Sequence, residues 1–250
     1  MANKSVLITG ASAGIGKGLA LEFASRGYDL ALCARRLDDL NHLCAEIRQL
    51  FPSVRVEIAP VDVTDFDAVF KSVNDFAERF NGLDVVIANA GIGGGGFIGS
   101  GRFSEDQAVI MTNVLGAMAT VDAAVALFKM QKSGHVVAIS SVAAFRGMPS
   151  GAAYCASKAA LSTYMEALEA ELHNSPIKVT TLYPGYIDTA INQKMKSRPF
   201  LIDVTKGARI MADLIEKGVS RSTVPVYPWN LIGKALKWAP VSLLAGKKSI

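Results

Sequence analysis

The sequence predicts an α/β protein built on one parallel β-sheet with helices on both faces. Apolar runs of five to seven residues, with the length and β-branched content of buried strands, alternate with longer helical patterns along the chain. A sheet covered on both faces is the natural arrangement for such an alternation. No linker or internal repeat interrupts it, so we predict a single domain over residues 1–250.

The elements follow one another in a regular order. The predicted strands span residues 5–9, 28–34, 54–59, 83–88, 135–139, 177–183 and 223–227. The predicted helices follow the first glycine turn to about residue 27, then cover 37–50, a segment from 65 to about 80, 104–129, 151–173 and 205–217. Asp38 and Asp39 fall in the first turn of the second helix, where the macrodipole favours negative charge.

Composition excludes several classes of protein. Half of the residues are hydrophobic and 19% are charged, as in globular proteins with much buried surface. The net charge of +4 is small and its basic residues are scattered except near the end, so we expect no nucleic-acid partner. The three cysteines and three histidines lack metal-ligand spacing, so we expect no metal site. The odd cysteine count suits a reducing compartment, and we expect a cytoplasmic protein with no signal peptide and no apolar run of membrane-spanning length.

Three glycines separate the first strand from the first helix. Gly10, Gly14 and Gly16 permit a tight turn and allow a pyrophosphate to approach the backbone at the helix N-terminus. Their spacing differs from the common dinucleotide fingerprint, but their position between a strand and a helix matches it. The turn therefore predicts a dinucleotide site.

The end of the second strand predicts which dinucleotide binds. A site for an unphosphorylated ribose places an acidic residue there, whereas this chain has Ala34 followed by Arg35 and Arg36. A guanidinium matches a 2′-phosphate through paired hydrogen bonds, so we expect NADP(H). The alternative is an exposed basic pair that opens a helix.

A second motif lies in the stretch from Gly134 to Leu161. Tyr154 and Lys158 stand four positions apart and share one helix face. Ser141 ends the preceding strand, where open α/β sheets place their ligands. We expect the Lys158 ammonium to lower the pKa of Tyr154 and make the phenol a proton donor and acceptor. The alternative is a half-buried ring beside a solvated amine.

Together these motifs resemble the classical short-chain dehydrogenases/reductases over roughly residues 4–190. The resemblance rests on Thr9 to Gly16, the triplet Asn89, Ala90 and Gly91, then Asn113, Ser141, the segment from Tyr154 to Lys158, and the pair Pro184 and Gly185. It implies a Rossmann-type sheet of seven strands, a nicotinamide cofactor and a homodimer or homotetramer.

The resemblance also implies roles for single residues. Ser141 would hydrogen-bond the substrate oxygen, Tyr154 would transfer its proton, and Lys158 would bind the nicotinamide ribose. Asn113 would hold a water that relays protons from Lys158. The implied cofactor-binding residues are Gly10, Ser12, Ala13, Gly14, Ile15, Gly16, Arg35, Arg36, Asp62, Val63, Asn89, Ala90, Gly91, Tyr154, Lys158, Pro184, Gly185, Ile187 and Thr189.

Two loops receive less specific assignments. Residues 186–203 are predicted to form the substrate lid. The run from Gly93 to Gly96 is expected to be a loose surface loop without a binding role.

The leading hypothesis is hydride transfer between NADP(H) and a carbonyl or alcohol, most plausibly reduction of a lipophilic aldehyde or ketone. Reduction of a 3-oxoacyl thioester is an alternative within the same family. A dinucleotide-binding sensor without catalysis is an alternative from another class, disfavoured by the complete catalytic set. A dehydratase- or epimerase-like relative is less favoured, since such enzymes are usually longer.

Residues 228–250 lie beyond the family motifs and read as an amphipathic segment. A helical projection of residues 229–238 predicts one apolar face opposite Asn230, Lys234 and Lys237. The residues assigned to that face are Leu231, Ile232, Ala235, Leu236 and Trp238. Such a helix either lies peripherally on a membrane or packs on this or another subunit beside the substrate cleft. Both interpretations predict an apolar surface near the substrate entrance and a lipophilic substrate.

Overall fold

The computed structural model describes residues 3–193, 195 and 197–244. Its strands form one seven-stranded sheet in the order β3-β2-β1-β4-β5-β6-β7, and every neighbouring pair is parallel. The strands are β1 (Ser5–Thr9), β2 (Asp29–Ala34), β3 (Val56–Pro60), β4 (Val85–Ala88), β5 (Gly134–Ile139), β6 (Ile177–Pro184) and β7 (Arg221–Val224). The predicted α/β fold class is confirmed.

Helices cover both faces of the sheet. They are α1 (Gly14–Ser25), α2 (Leu37–Leu50), α3 (Phe66–Phe80), α4 (Phe103–Ile110), α5 (Ala117–Gln131), α6 (Ala152–Glu171), α7 (Val204–Lys217), α8 (Trp229–Trp238) and α9 (Val241–Leu244). Apolar side chains of α1, α2 and α7 pack on one face of the sheet, and those of α3, α5 and α6 pack on the other. Successive strand residues alternate between these two cores: Val6 and Ile8 enter one, whereas Leu7 enters the other.

The strand order creates a crevice at the carboxyl edge of the sheet. The chain winds outward from β1 through β2 to β3, then crosses back to place β4 on the other side of β1. The loops that follow β1 and β4 therefore diverge to opposite faces of the sheet. Open α/β sheets bind ligands at such a switch point.

The helical stretch predicted for residues 104–129 has a different form in the structure. A π-helical segment, Met111–Gly116, separates α4 from α5. A Cβ atom at Gly116 would lie 2.8 Å from the main-chain oxygen of Val63, so only glycine allows this close approach to the loop after β3. Wide π turns of this kind often occur at functional sites, and this one contains Asn113.

One helical stretch corrects the expectation that no segment reaches membrane-spanning length. Phe103–Gln131 is long and apolar enough to cross a membrane by length and composition. Most of it is buried inside the protein, with α5 packed on the sheet. These are the properties of a core helix, which can resemble a membrane-spanning helix in length and composition.

The helix predicted over residues 229–238 is present as α8, but only part of its predicted apolar face is turned toward the protein. Trp229, Ile232, Gly233 and Leu236 face inward in α8, whereas Leu231, Ala235 and Trp238 are exposed. The predicted face spans too wide an arc for one side of a helix to bury, so it divides into an inner and an outer strip. Residues 245–250, with Lys247 and Lys248, lie outside the described residues.

Candidate active site

A cavity of about 410 Å³ occupies the crevice at the switch point. Every residue that the sequence assigned to cofactor binding lines it, from Gly10 in the first turn to Thr189 in the segment 186–203, which keeps the name of its prediction, the lid. Ser141 lines it too, whereas Asn113 lies behind its wall. The structure thus brings the predicted binding and catalytic residues to one place.

The glycine turn after β1 is shaped as the sequence predicts. Gly10 and Gly14 have positive φ angles of 67° and 53°, a region that side-chain-bearing residues rarely enter. A Cβ atom at Gly16 would lie 2.3 Å from the main-chain oxygen of Gly10, so a side chain there would destroy the turn. The turn opens onto the N-terminus of α1, where backbone N–H groups and the helix dipole favour a phosphate.

Asn89 fastens this turn to the end of β4. Its Nδ2 donates to the main-chain oxygen of Thr9 over 2.8 Å, and its own main-chain N–H donates to Thr9 Oγ1 over 3.1 Å. The two loops at the switch point are therefore joined by hydrogen bonds from one asparagine. The family resemblance implied cofactor binding for Asn89, and the structure adds this bracing contact.

Two arginines stand at the end of β2, as predicted for an NADP site. Arg36 donates from Nη2 to Ser12 Oγ over 3.2 Å and pairs with Asp39 at 2.9 Å, so it reaches over the glycine turn. Arg35 Nη1 lies 3.8 Å from Asp62 Oδ2, and both side chains are largely exposed. Partial burial tends to raise the pKa of Asp62, but hydrogen bonds from Thr64 and the Arg35 charge lower it overall.

Ser141 and Tyr154 meet at the other end of the cavity. Ser141 ends β5, and its Oγ accepts a hydrogen bond from the N–H of Ala143 over 3.1 Å, which caps the 3₁₀ helix Val142–Phe145. Tyr154 lies in the first turn of α6, and its phenol lies close enough to the Ser141 hydroxyl for that group to lower the phenol pKa in part. The two hydroxyl groups can therefore contact one substrate oxygen.

Lys158 occupies a buried position one turn further along α6. Its Nζ donates to the main-chain oxygen of Ile139 over 2.9 Å and lies 5.9 Å from the centre of the Tyr154 ring. Burial lowers the pKa of Lys158 from 10.5 to about 8. The amine is therefore mostly charged at neutral pH, but it loses its proton as the pH rises through about 8.

The expected effect of Lys158 on the Tyr154 phenol is wrong for this structure. The pKa of Tyr154 is raised from its ordinary value of 10, because burial opposes the phenolate more strongly than the Ser141 hydrogen bond favours it. The Lys158 ammonium is directed to Ile139 rather than to the phenol oxygen. The phenol consequently stays protonated at neutral pH.

Asn113 clamps the loop after β4. Its Oδ1 accepts from the N–H of Ile92 over 2.8 Å, and its Nδ2 donates to the oxygen of the same residue over 2.9 Å. Nδ2 also donates to Ser157 Oγ over 3.1 Å. A Cβ atom at Gly91 would lie 3.2 Å from Asn113 Oδ1 and 3.4 Å from Lys158 Nζ, so the two predicted catalytic residues border the same glycine. The water relay assigned to Asn113 stays a prediction.

Sequence reasoning missed the residues that hold Lys158 in place. Ser140 Oγ and Ser162 Oγ each donate to the main-chain oxygen of Lys158, over 3.0 and 2.7 Å, and lie 2.8 Å from each other. They bind α6 to the end of β5. The signal was present in the paired serines that end β5, but only Ser141 received a role. Ile92 and Thr112 also line the cavity without having been predicted.

The lid and the glycine run lie together at the mouth of the cavity. The two ends of the lid meet where the N–H of Ile202 donates to the oxygen of Tyr186 over 3.1 Å. Ile191 in the lid packs near Gly93, and a Cβ atom at Gly94 would lie 2.6 Å from Val109 in α4. Within the run expected to be a loose loop, Gly93 and Gly94 therefore lie close to the lid and to α4, where a side chain would have little room.

Comparisons with known proteins agree with this geometry. Residues 4–199 match the family model described as short chain dehydrogenase. An uncharacterized oxidoreductase of Mycobacterium tuberculosis is 42% identical over 227 residues, which are 90% of each chain.

Two solved structures show the same fold. An alcohol dehydrogenase from Thermococcus sibiricus complexed with 5-hydroxy-NADP is similar at 29% identity with a TM-score of 0.80, over 88% of this chain and 95% of that one. A Burkholderia phymatum protein of the same family in complex with NAD has a TM-score of 0.87 at 23% identity, over 100% of this chain and 99% of that one.

Proposed function

The chain belongs to the short-chain dehydrogenase/reductase family of oxidoreductases, and we propose that it reduces the carbonyl group of a lipophilic aldehyde or ketone with NADPH. The observation that carries this proposal is the meeting of two sets of residues in one cavity. The glycine turn lies at one end, and the hydroxyl groups of Ser141 and Tyr154 lie at the other.

The chain's own residues fit a bound dinucleotide. Gly10 and Gly14 adopt positive φ angles, and Gly16 has no side chain to block the turn. The backbone of these three residues can therefore surround a pyrophosphate. Pro184, Gly185, Ile187 and Thr189 line the opposite part of the cavity, where the nicotinamide would bind. When bound, NADPH would supply a hydride to the carbonyl carbon of the substrate.

Ser141 and Tyr154 would act on the carbonyl oxygen. The Ser141 hydroxyl donates a hydrogen bond to that oxygen, and the Tyr154 phenol gives it a proton as negative charge develops there. Burial keeps the phenol protonated, because it raises the pKa of Tyr154. A protonated phenol is the form required for reduction, so the resting state of the site supports that direction.

Lys158 and Asn113 would support this step from behind. The charged Lys158 amine would contribute a hydrogen bond to the nicotinamide ribose. Asn113 fixes Ile92 and hence the loop that carries Asn89, Ala90 and Gly91.

The preference for NADPH over NADH is supported by the end of β2. Ala34 occupies the position of the acidic residue that would bind a free ribose 2′-hydroxyl. Arg35 and Arg36 follow, and both line the cavity. The Arg36 contact with Ser12 supports this preference, since it brings a guanidinium to the glycine turn.

A lipophilic substrate is supported by exposed apolar side chains in the lid and in the loop before α6, of which Ile191 lines the cavity. The described part of the lid exposes Ile191, Met195, Phe200 and Leu201. Met148, in the loop before α6, is also exposed. Exposed apolar side chains in these segments favour substrates that bury methylene groups on binding.

Two further expectations belong to this proposal. We expect a homodimer or homotetramer, as is common in the family. We place the enzyme in the cytoplasm, since its three cysteines are free and buried, which suits a reducing compartment.

The test is NADPH oxidation measured with aldehydes and ketones of graded chain length and with a 3-oxoacyl thioester. The proposal expects turnover of the free carbonyls to exceed that of the thioester. Turnover of the thioester alone would assign the alternative substrate, and tight NADPH binding without any turnover would indicate a sensor.

A further inference from the structure

The outer face of the C-terminal helices carries apolar side chains that the protein does not cover. In α8 and α9, Leu231, Trp238, Val241 and Leu243 are 57%, 89%, 70% and 75% exposed. We call these four side chains the outer apolar strip. The opposite face of α8 is anchored, since Trp229 is buried and packs against the rings of Tyr186 and Phe200.

The net charge of the protein is concentrated in the same segment. The whole chain has 26 basic and 22 acidic residues, whereas residues 228–250 contain four lysines and no acidic residue. Residues 1–227 therefore carry 22 residues of each sign and no net charge, so the entire +4 lies in the last 23 positions.

This segment is also attached to the active site. Arg146 directly follows the 3₁₀ helix Val142–Phe145. Its Nη2 donates to the main-chain oxygen of Ala239 over 2.9 Å. A Cβ atom at Gly233 would lie 2.5 Å from the Phe145 ring, so α8 packs directly on the 3₁₀ helix that follows Ser141. Phe200 of the lid rests edge-on against Trp229.

We propose that the outer apolar strip docks on an anionic lipid membrane, attracted by the net positive charge of the sequence 228–250, and that docking places the mouth of the substrate cleft at the bilayer. Apolar side chains beside a concentrated positive charge are the combination that binds a helix into a membrane interface. A neutral remainder of the protein contributes no net attraction, so orientation is set by this segment. The inference that a membrane-dissolved carbonyl compound enters the cleft also rests on the proposed function.

The binding test is flotation of the full chain with vesicles of phosphatidylcholine alone or mixed with phosphatidylglycerol. We expect flotation with the mixed vesicles only, weakened by salt. Trp238→Ser should weaken binding roughly tenfold through lost apolar burial. Lys234→Gln combined with Lys237→Gln should weaken it roughly 30-fold, since each lysine contributes a similar electrostatic term near an anionic surface.

Matched controls test whether location matters. Met130→Ser removes an apolar side chain that is 73% exposed on α5, and Lys4→Gln combined with Lys129→Gln removes two charges outside the segment. Both controls should float like the unmodified chain. Equal losses in the controls, or undiminished flotation of Trp238→Ser, would overturn the proposal.

Tryptophan fluorescence gives a second readout that does not depend on a substitution. The chain has two tryptophans, and Trp229 is buried whereas Trp238 is exposed. Mixed vesicles should shift the emission to shorter wavelength and allow quenching by brominated lipid. Unchanged emission would contradict docking through this surface.

Sedimentation velocity without lipid tests a second copy of the chain as the occupant. A lower mass for Trp238→Ser than for the unmodified protein would show that the strip is a subunit interface and would overturn the proposal. Flotation and sedimentation do not require turnover, so their outcome is separate from that of the proposed reaction. Access of the substrate from the membrane is measured by the KM for a membrane-dissolved ketone. Trp238→Ser should raise this KM and leave the KM for a water-soluble aldehyde unchanged.

Discussion

Lys158 and Ile139 are joined by a hydrogen bond of 2.9 Å from the buried amine to the last main-chain oxygen of β5. This contact fixes the amine between the sheet and α6, close to but not directed at the Tyr154 phenol. Ser140 and Ser162 hold the Lys158 backbone from the other side. The position of the proposed ribose-binding amine is therefore set by the strand end rather than by its tyrosine partner.

This burial predicts a pH dependence. Lys158 has a pKa of about 8 in the folded protein, so its ammonium form is lost as the pH rises through that value. The kcat/KM for NADPH should fall about tenfold per pH unit above it. The Tyr154 phenol does not account for a decline near pH 8, since burial raises its pKa above 10. A profile that is flat to pH 10 would contradict the role of the Lys158 charge.

The phenol itself is tested by Tyr154→Phe. Turnover should disappear, because the proton donor is lost, while NADPH affinity measured by fluorescence titration stays nearly unchanged. Tyr164→Phe is the matched control, since it removes a partly buried phenol from the same helix outside the cavity. Lys158→Ala should reduce both affinity and rate. Activity above a few per cent in Tyr154→Phe would show that another group protonates the product.

Cofactor choice is tested at Arg35. A hydrogen bond to a charged group contributes about 1.5–3 kcal/mol, so Arg35→Ala should weaken NADPH binding roughly ten- to hundredfold. NADH affinity should barely change, because NADH lacks the 2′-phosphate. Arg79→Ala, on α3 and outside the cavity, should alter neither. Equal losses for the two cofactors would mean that Arg35 does not contact the 2′-phosphate.

The sequence predicted those parts of the fold and the site that depend on local pattern. The bounds of α2 and β1 agree with the structure residue for residue, because apolar period and flanking turns define them locally. Gly10, Gly14 and Gly16 were predictable because their backbone conformations and close contacts need glycine.

What the sequence could not predict depends on contacts between distant segments. The π turn around Asn113 arises where Gly116 meets the loop after β3, and nothing near Gly116 signals that contact. The direction of the Lys158 amine depends on the position of Ile139, and the inward side of α8 depends on Phe145. A helical projection gives positions around an axis but does not show which side meets the protein.

A buried histidine predicts how stability varies with pH. His135 lies in β5 with its Nε2 2.8 Å from Thr180 Oγ1, and burial aided by the Lys178 charge lowers its pKa from 6.5 to about 4. Between these values the unfolded chain binds a proton that the folded protein does not. The free energy of unfolding should therefore decrease as the pH falls from 6.5 to 4, by about 3 kcal/mol for this group.

Denaturant unfolding at a series of pH values measures this effect. His135→Val combined with Thr180→Val removes both partners and should flatten this part of the dependence. His42→Gln, at an exposed position, should leave it unchanged. If stability falls equally with pH in the unmodified protein and in both variants, the effect belongs to other groups.

The apolar mouth of the cavity predicts a chain-length dependence. Each methylene group buried on binding contributes about 0.8 kcal/mol, so kcat/KM should rise roughly threefold to fourfold per added carbon until the pocket is filled. The exposed lid residues Ile191, Met195 and Phe200 provide the surface that such a chain would cover. Replacing Ile191, which lines the cavity, with serine should lower the slope for long aldehydes and leave the rate with acetaldehyde nearly unchanged. The measurement is a series of straight-chain aldehydes from two to ten carbons, and a flat or falling profile from short to medium chains would rule out a lipophilic substrate.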